Sequence, residues 1–329
     1  MALPSTELIA AADVSEAALA RFTDKYGITN VYADYRSMLE AENLDIVSVP
    51  TGAHVRCDIV LAVAEFQSVN GILIEKPMAI DLAEADQMLA ACEKAGTKLA
   101  VNHQRRCDAK YRRARQLVDD GAIGTLSVIR GLGVAAGIDM TNNGTHLFDA
   151  MGIFGEEAEW VWASVTQNGR DITADDVTWA DRRATSQQEA LVAGDTVSAV
   201  FSFKNGARGN FESLHEGNPR AWGVELVGTK GRLVCINSGA GPYPYPLAIC
   251  TQDNPPGEWK PIEVPESESS QHRMVTDLIG CIEGGGEHPS SGYHGRAALE
   301  LIMAIYESQK QGRKVALPLA SREHPLKTL

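Results

Sequence analysis

Four short segments of the 329-residue chain carry side chains that can move protons or grip a polar ligand. Glu75-Lys76-Pro77 follows the apolar run GILI at 71–74, and the carboxyl ends of strands are where open α/β sheets bind ligands. A lysine there can hydrogen-bond a substrate hydroxyl, while Pro77 fixes the turn and removes a donor. A solvated lysine on a surface turn fits the same residues, and spacing alone favours that plainer reading. In TNNGTHLFD (141–149), His146 heads an apolar helix. An imidazole titrates near neutrality and suits proton exchange with an alcohol. Asn142 lies one helical turn earlier and can face the same pocket; a capping segment with a core histidine is an equal alternative. NHQRR (102–106) places Asn102 at another strand end, with Arg105 or Arg106 able to clamp a ligand or to join domains by an ion pair. Asp13 closes ELIAAAD (7–13). In a dinucleotide-binding sheet such an acid binds the adenosine ribose and repels a 2′-phosphate; as a helix N-terminal acid it is equally well explained.

The elements that hold these residues alternate through the first hundred positions. Strand patterns at 7–13, 44–49 (LDIVSV), 71–74 and 98–102 (KLAVN) are separated by helical patterns after Ser15, at 35–41, at 54–66 and at 81–96. Strand–helix alternation at this spacing predicts right-handed crossovers and a parallel, doubly wound sheet over residues 1–104. From 105 the texture changes. A basic helix at 105–120 precedes strand patterns at 125–134, 159–169, 195–204, 207–215, 221–228 and 231–237, with hairpin turns at Lys204-Asn205-Gly206 and 228–231. This predicts an α+β domain over 105–329: an open, mostly antiparallel sheet with one face covered by helices. A final helix at 295–312 should pack back on the body.

Bulk properties narrow the function classes. The formal charge of −13 disfavours nucleic acid and anionic lipid as partners. No run approaches the roughly 20 apolar residues of a membrane span, and the start does not read as a signal peptide. Six cysteines without a C-x-x-C pair suit reduced thiols in the cytoplasm. The remaining histidines show no metal-ligand spacing, so no metal is expected.

A doubly wound nucleotide-binding sheet opens with a strand, a G-x-G-x-x-G turn and a helix, whereas this chain begins at what reads as the second strand. The expectation is that the true start lies upstream and that two apolar strand edges are otherwise left open. Gly131-Leu132-Gly133-Val134-Ala135-Ala136 fits G-x-G-x-x-A, but no amphipathic helix follows it. It reads as a flexible strand end near a substrate site, where Arg130, Asp139, Trp222 and Tyr293 are further candidates.

The ordered set IAAADVS, YADYRSML, LDIVSVPTGAH, GILIEKPMA, VNHQRR, DDGAIGTL, GTHLFD, ELVGTKGRL and ALELIMAIYESQKQGRKVAL resembles the glucose–fructose oxidoreductase / inositol dehydrogenase (Gfo/Idh/MocA) family over nearly the whole chain. The resemblance implies an NAD(P)-dependent oxidoreductase that moves a hydride between nicotinamide and a secondary hydroxyl or keto carbon of a sugar or polyol. NAD is favoured over NADP through Asp13. It places Lys76 and His146 beside the nicotinamide, and puts Asn142 where the family carries an acid. Asn142 cannot take up a proton but can orient substrate or His146. The implied cofactor contacts are Asp13, Pro50, Thr51, His54, Glu75, Lys76 and Asn102; the implied substrate contacts are Lys76, Arg106, Asn142 and His146. The family's glycine loop has no counterpart in this sequence, and its T-P-N is Val49-Pro50-Thr51 here. The resemblance also implies homodimers or homotetramers built through the second domain's open sheet. A non-catalytic dinucleotide or sugar sensor of the same fold, and a truncated inactive product, are the alternatives.

Overall fold

The computed structural model describes residues 3–180, 190–213, 221–237, 243–253, 255, 257–266 and 268–329. The first half alternates β1 (Ala11–Ala12), α1 (Glu16–Tyr26), β2 (Val31–Tyr32), α2 (Tyr35–Ala41), β3 (Ile46–Val49), α3 (Ala53–Val63), β4 (Gly71–Ile74), α4 (Leu82–Ala95) and β5 (Lys98–Val101). Local chemistry sets the helix ends. Ser15 accepts from Ala18 N at the head of α1, and Asp81 accepts from Glu84 N at the head of α4. Gly27 and Gly96 close these helices at φ 72° and 74°, left-handed values that only glycine adopts without strain. All strand pairings here are parallel, as the alternation predicts.

Where a single sheet is expected, two form: β1–β2, and β3–β4–β5. Among the described residues β1 and β3 share no ladder, because each pairs on one side only. The strand expected over 7–13 is regular only at its last two residues before Asp13.

The second half begins differently from expectation as well. The basic helix predicted over 105–120 is split into a 3₁₀ turn (Gln104–Cys107) and α5 (Ala109–Asp119), since Asp108 stays extended and caps α5 by accepting from Lys110 N at 2.8 Å. Then follow β6 (Leu126–Leu132), a π turn (Met140–Gly144), α6 (Thr145–Gly155), β7 (Ala158–Gln167), β8 (Arg170–Asp171), β9 (Thr178–Ala180), β10 (Ala190–Val192), β11 (Thr196–Phe203), β12 (Arg208–Glu212), β13 (Gly223–Gly228), β14 (Gly231–Ile236), β15 (Leu247–Thr251), β16 (Lys260–Pro261), α7 (Ser270–Gly284), α8 (Gly292–Gln311) and β17 (Val315–Ala316). A ten-stranded sheet runs β16-β15-β14-β13-β6-β12-β11-β7-β17, with β8 on β7. It is antiparallel except for β6–β12, which is parallel. The tail of the strand predicted over 207–215 lies outside the described residues.

One face of this sheet is apolar and covered. Val161, Val197, Phe201 and Phe203 are fully buried, and Phe148 of α6 packs edge-on against Phe201 and Phe211. The other face is open, with Trp162 49% exposed and Trp160 beneath Arg208 and Lys314. α7 and α8 return to the first half, where they pack on β5. Its free edge is closed by Val101 N donating to Ser290 O and Ser290 Oγ donating to Val101 O. No helix of the described residues is long and apolar enough to cross a membrane.

Candidate active site

The tripeptide Glu75-Lys76-Pro77 leaves β4 through a cis Lys76–Pro77 peptide. Arg56 of α3, only 1% exposed, pins this turn by donating to the carbonyls of Pro77, Met78 and Thr51. A buried guanidinium is tolerated when hydrogen-bonded, and three carbonyl acceptors meet that need. Sequence reading missed Arg56, although a lone arginine in the apolar helix AHVRCDIVLAV is itself a signal that something polar is buried with it.

Glu75 fixes the turn from the other side. One carboxylate oxygen accepts from Asn102 Nδ2 at 2.6 Å and the other from Lys76 N at 3.3 Å. The exits of adjacent strands β4 and β5 are thereby tied together. Lys76 then reaches across to the second half, its Nζ donating to Asn142 Oδ1 at 2.8 Å and to Asn142 O at 3.3 Å. The cleft between the halves is lined by Thr51, Glu75, Lys76, Ile138, Thr141 and Asn142, among others.

Asn142 belongs to the π turn, a geometry that often marks functional sites. Asp139 steadies it, accepting from Ala135 N at 2.7 Å and from Asn143 Nδ2 at 2.5 Å. His146 follows in the first turn of α6, its ring centroid 5.4 Å from that of His103 with 72° between the planes. His103 is fully buried; its Nε2 lies 2.9 Å from Thr145 Oγ1 and its Nδ1 3.6 Å from Asp149 Oδ1. Burial holds the His103 pKa well below its ordinary value, and Arg106, Lys76 and His294 add to that. Burial raises the Asp149 carboxyl, against the pull of Arg106. The roles of Thr145, His103 and Asp149 were invisible in the sequence, because they depend on β5 and α6 meeting.

The structure places Arg106 in this interior group. Its Nε donates to Asp149 Oδ1 at 2.7 Å, the ion-pair use left open from sequence, and its side chain is 13% exposed. Arg105 stacks 4.9 Å from the Trp222 ring. Arg130 lies on the open sheet face with Glu225, and Tyr293 donates to Glu93 of α4, so neither lines the cleft. Gly133 ends β6 at φ 85°, where a Cβ would meet Trp222 Cα at 2.7 Å; the G-x-G-x-x-A string is a packed strand end.

On the cofactor side, Thr51 Oγ1 and His54 Nδ1 are buried without a hydrogen-bond partner among the described residues. They flank the start of α3, whose N-cap Gly52 provides no side-chain cap. Unmet polar atoms beside an uncapped helix start fit a hydroxyl- and phosphate-bearing ligand. Pro50 ends β3 nearby. Asp13 is exposed beyond β1, one oxygen accepting from Ser15 N at 2.8 Å.

Residues 1–103 match the Gfo/Idh/MocA model described as oxidoreductase family, NAD-binding Rossmann fold, and residues 135–317 match that family's C-terminal alpha/beta domain. The chain is 26% identical to D-apiose dehydrogenase of Paraburkholderia graminis, over 99% of this chain and 87% of that protein. It is 29% identical to myo-inositol 2-dehydrogenase of Thermotoga maritima, over 70% and 68%. Aldose-aldose oxidoreductase of Caulobacter crescentus, solved with glycerol, superposes with TM-score 0.74 at 25% identity, over 94% of this chain and 92% of that one. With both domain models matched in order, the chain belongs to the Gfo/Idh/MocA family of NAD-binding oxidoreductases.

Proposed function

We propose that this protein is an NAD-dependent dehydrogenase acting on a secondary hydroxyl of a sugar or polyol, with residues 1–104 serving the cofactor and 105–329 the substrate. The observation that carries this is the Lys76–Asn142 contact, which brings the turn after β4 and the approach to His146 to one cleft. The names of the apiose, inositol and aldose relatives support the substrate class.

NAD, when bound, supplies the hydride chemistry. The chain's residues bind, orient and handle protons. Thr51, His54, Glu75 and Asn102 hold the cofactor's polar groups, Pro50 shapes the strand exit, and Asp13 selects the ribose hydroxyls over a 2′-phosphate. Lys76 Nζ gives up one contact to Asn142 and hydrogen-bonds the reacting hydroxyl oxygen. His146 exchanges the proton of that hydroxyl, and Asn142, a neutral amide, orients Lys76 and substrate without joining the proton path. Arg106 acts from behind, through Asp149.

The exposed Trp162 on the open sheet face supports assembly through that face into a homodimer or homotetramer, and the cysteine usage supports a cytoplasmic setting. Light scattering on the purified protein tests the former.

The test of function is a steady-state assay with NAD against aldoses and polyols, followed by reduced-nicotinamide absorbance. Turnover on at least one, strongly reduced in Lys76→Ala, is expected. Tight NAD binding with no turnover across the panel would reassign the protein as a sensor.

A further inference from the structure

Behind His146 lies a buried polar group in which the proposed mechanism gives His103 and Thr145 no work. His103, Thr145 and Asp149 are 0%, 0% and 2% exposed. Thr145 and Asp149 sit four residues apart on α6, so their side chains share one face, with His146 next in the chain after Thr145. His103 comes from the exit of β5 and fits against that face. Its Nε2 is 2.9 Å from Thr145 Oγ1, its Nδ1 3.6 Å from Asp149 Oδ1, and its ring stands edge-on to His146 at 5.4 Å. No solvent reaches the hydroxyl, the imidazole or the carboxylate, so the trio is not a nucleophilic site.

We propose that His103 is a positioning residue for His146: the Thr145 hydrogen bond to Nε2 and the Asp149 carboxyl 3.6 Å from Nδ1 set the ring as the fixed edge against which the His146 imidazole is placed. This rests on the reading of His146 as the proton-exchanging group.

The tautomer follows from electrostatics. The charged or titratable groups facing His103 are Asp149 and His146 from α6, Arg106 from its own turn, Lys76 from the turn after β4, and His294 from α8. Burial and the neighbouring cations keep the ring neutral. A neutral ring carries one N–H, and the carboxylate attracts it to Nδ1, leaving Nε2 to accept from the Thr145 hydroxyl. The opposite tautomer would aim a lone pair at Asp149. Arg106 Nε donates to the same oxygen, Asp149 Oδ1, at 2.7 Å, so that oxygen is shared between a cation and the His103 ring. The arrangement does two things at once: it fixes a ring plane and keeps an anion occupied.

His103→Phe keeps a ring for the edge contact and removes both nitrogens. The expected result is a kcat lowered about tenfold or more with KM for NAD unchanged, since small misplacements of catalytic groups are costly. The acidic limb of the pH profile should move up by about half a unit or more, as Asp149 turns its charge toward His146. His103→Asn, which restores a donor toward Asp149, should recover most of that pH shift. A His103→Phe enzyme with unchanged kcat and pH profile overturns the proposal. Should the variant not fold, ¹⁵N-imidazole NMR of the wild-type protein decides: a neutral ring protonated on Nδ1 at pH 7 supports it, and a cation or an Nε2–H tautomer overturns it. His146→Ala separates this from the parent reading. Full activity in that variant overturns both, whereas an inactive His146→Ala beside an unaffected His103→Phe overturns only the positioning role.

Discussion

The two parallel sheets carry opposite ends of one proposed cofactor site on unequal foundations. β1 and β2 contribute two residues each, all half-buried, and Leu8, Val14 and Tyr26 around them are 47%, 93% and 51% exposed. In β3–β4–β5, Ile72, Ile74 and Val101 are buried to 1% or less. That sheet is packed by α3, α4, α7 and α8, and the C-terminal residues bind it further. Lys327 pairs with Asp81 and Arg322 with Asp86, both on α4 or its cap, five and ten residues beyond Lys76. Lys76, proposed to contact the reacting hydroxyl, leaves the braced sheet, and Asp13, proposed to read the ribose, leaves the slight one. Catalytic groups need sub-ångström placement, whereas an adenosine contact adds affinity and tolerates looseness.

Breaking the braced side should cost most. Lys76→Ala is expected to lower kcat by about 10²- to 10⁴-fold, the usual size of a proton-handling contribution, with NAD affinity by calorimetry largely kept. Ile72→Ala, in the middle of β4, should destabilise by about 2–5 kcal/mol, whereas Val14→Ala beside β1 should stay within about 0.5 kcal/mol; denaturant melts of both variants read the contrast directly, and equal losses would erase it.

Acid offers a third probe. His324, buried in the C-terminal brace, has its pKa pushed down to about 4 from 6.5 by burial. Its folded-state pKa lies below the unfolded value, so protonation favours the unfolded chain. Its contribution is constant above pH 7, and stability is lost as pH falls from 6.5 toward 4. The loss reaches about 2 kcal/mol at pH 5. His324→Gln should flatten that part of the stability–pH curve, and hydrogen exchange should show the brace opening first. The smallest effect belongs to the slight side: Asp13→Ala should raise KM for NAD about tenfold, the order of one charge-assisted hydrogen bond in water, and narrow the preference over NADP without changing kcat.

The local signals in the sequence were sound wherever one residue decides an outcome. Ser15, Asp81, Gly27 and Gly96 bound their helices as read, Tyr35–Ala41 forms as expected, and GILI is β4. What escaped depends on distant partners. α7 and β15 were not anticipated, and Asp108 breaks a helix whose composition reads as continuous. At the site, Asn142 accepts from Lys76, and Glu75 accepts from Asn102 and from the Lys76 amide. Arg56 carried a signal that went unused, whereas the roles of Thr145 and His103 became visible only with their neighbours in place.

The placement of β6 also bears on how the protein assembles. Val128 pairs with Arg208 on one side and Val227 on the other, so both edges of this strand wait for chain made much later. Pairings so distant in sequence close slowly. α6, with His146 in its first turn, packs on β6 and β13 and so depends on that late closure. In refolding, helical signal should return well before enzymatic activity, and a chain stalled before residue 208 would display the Phe148 side of α6 to chaperones instead of to its sheet.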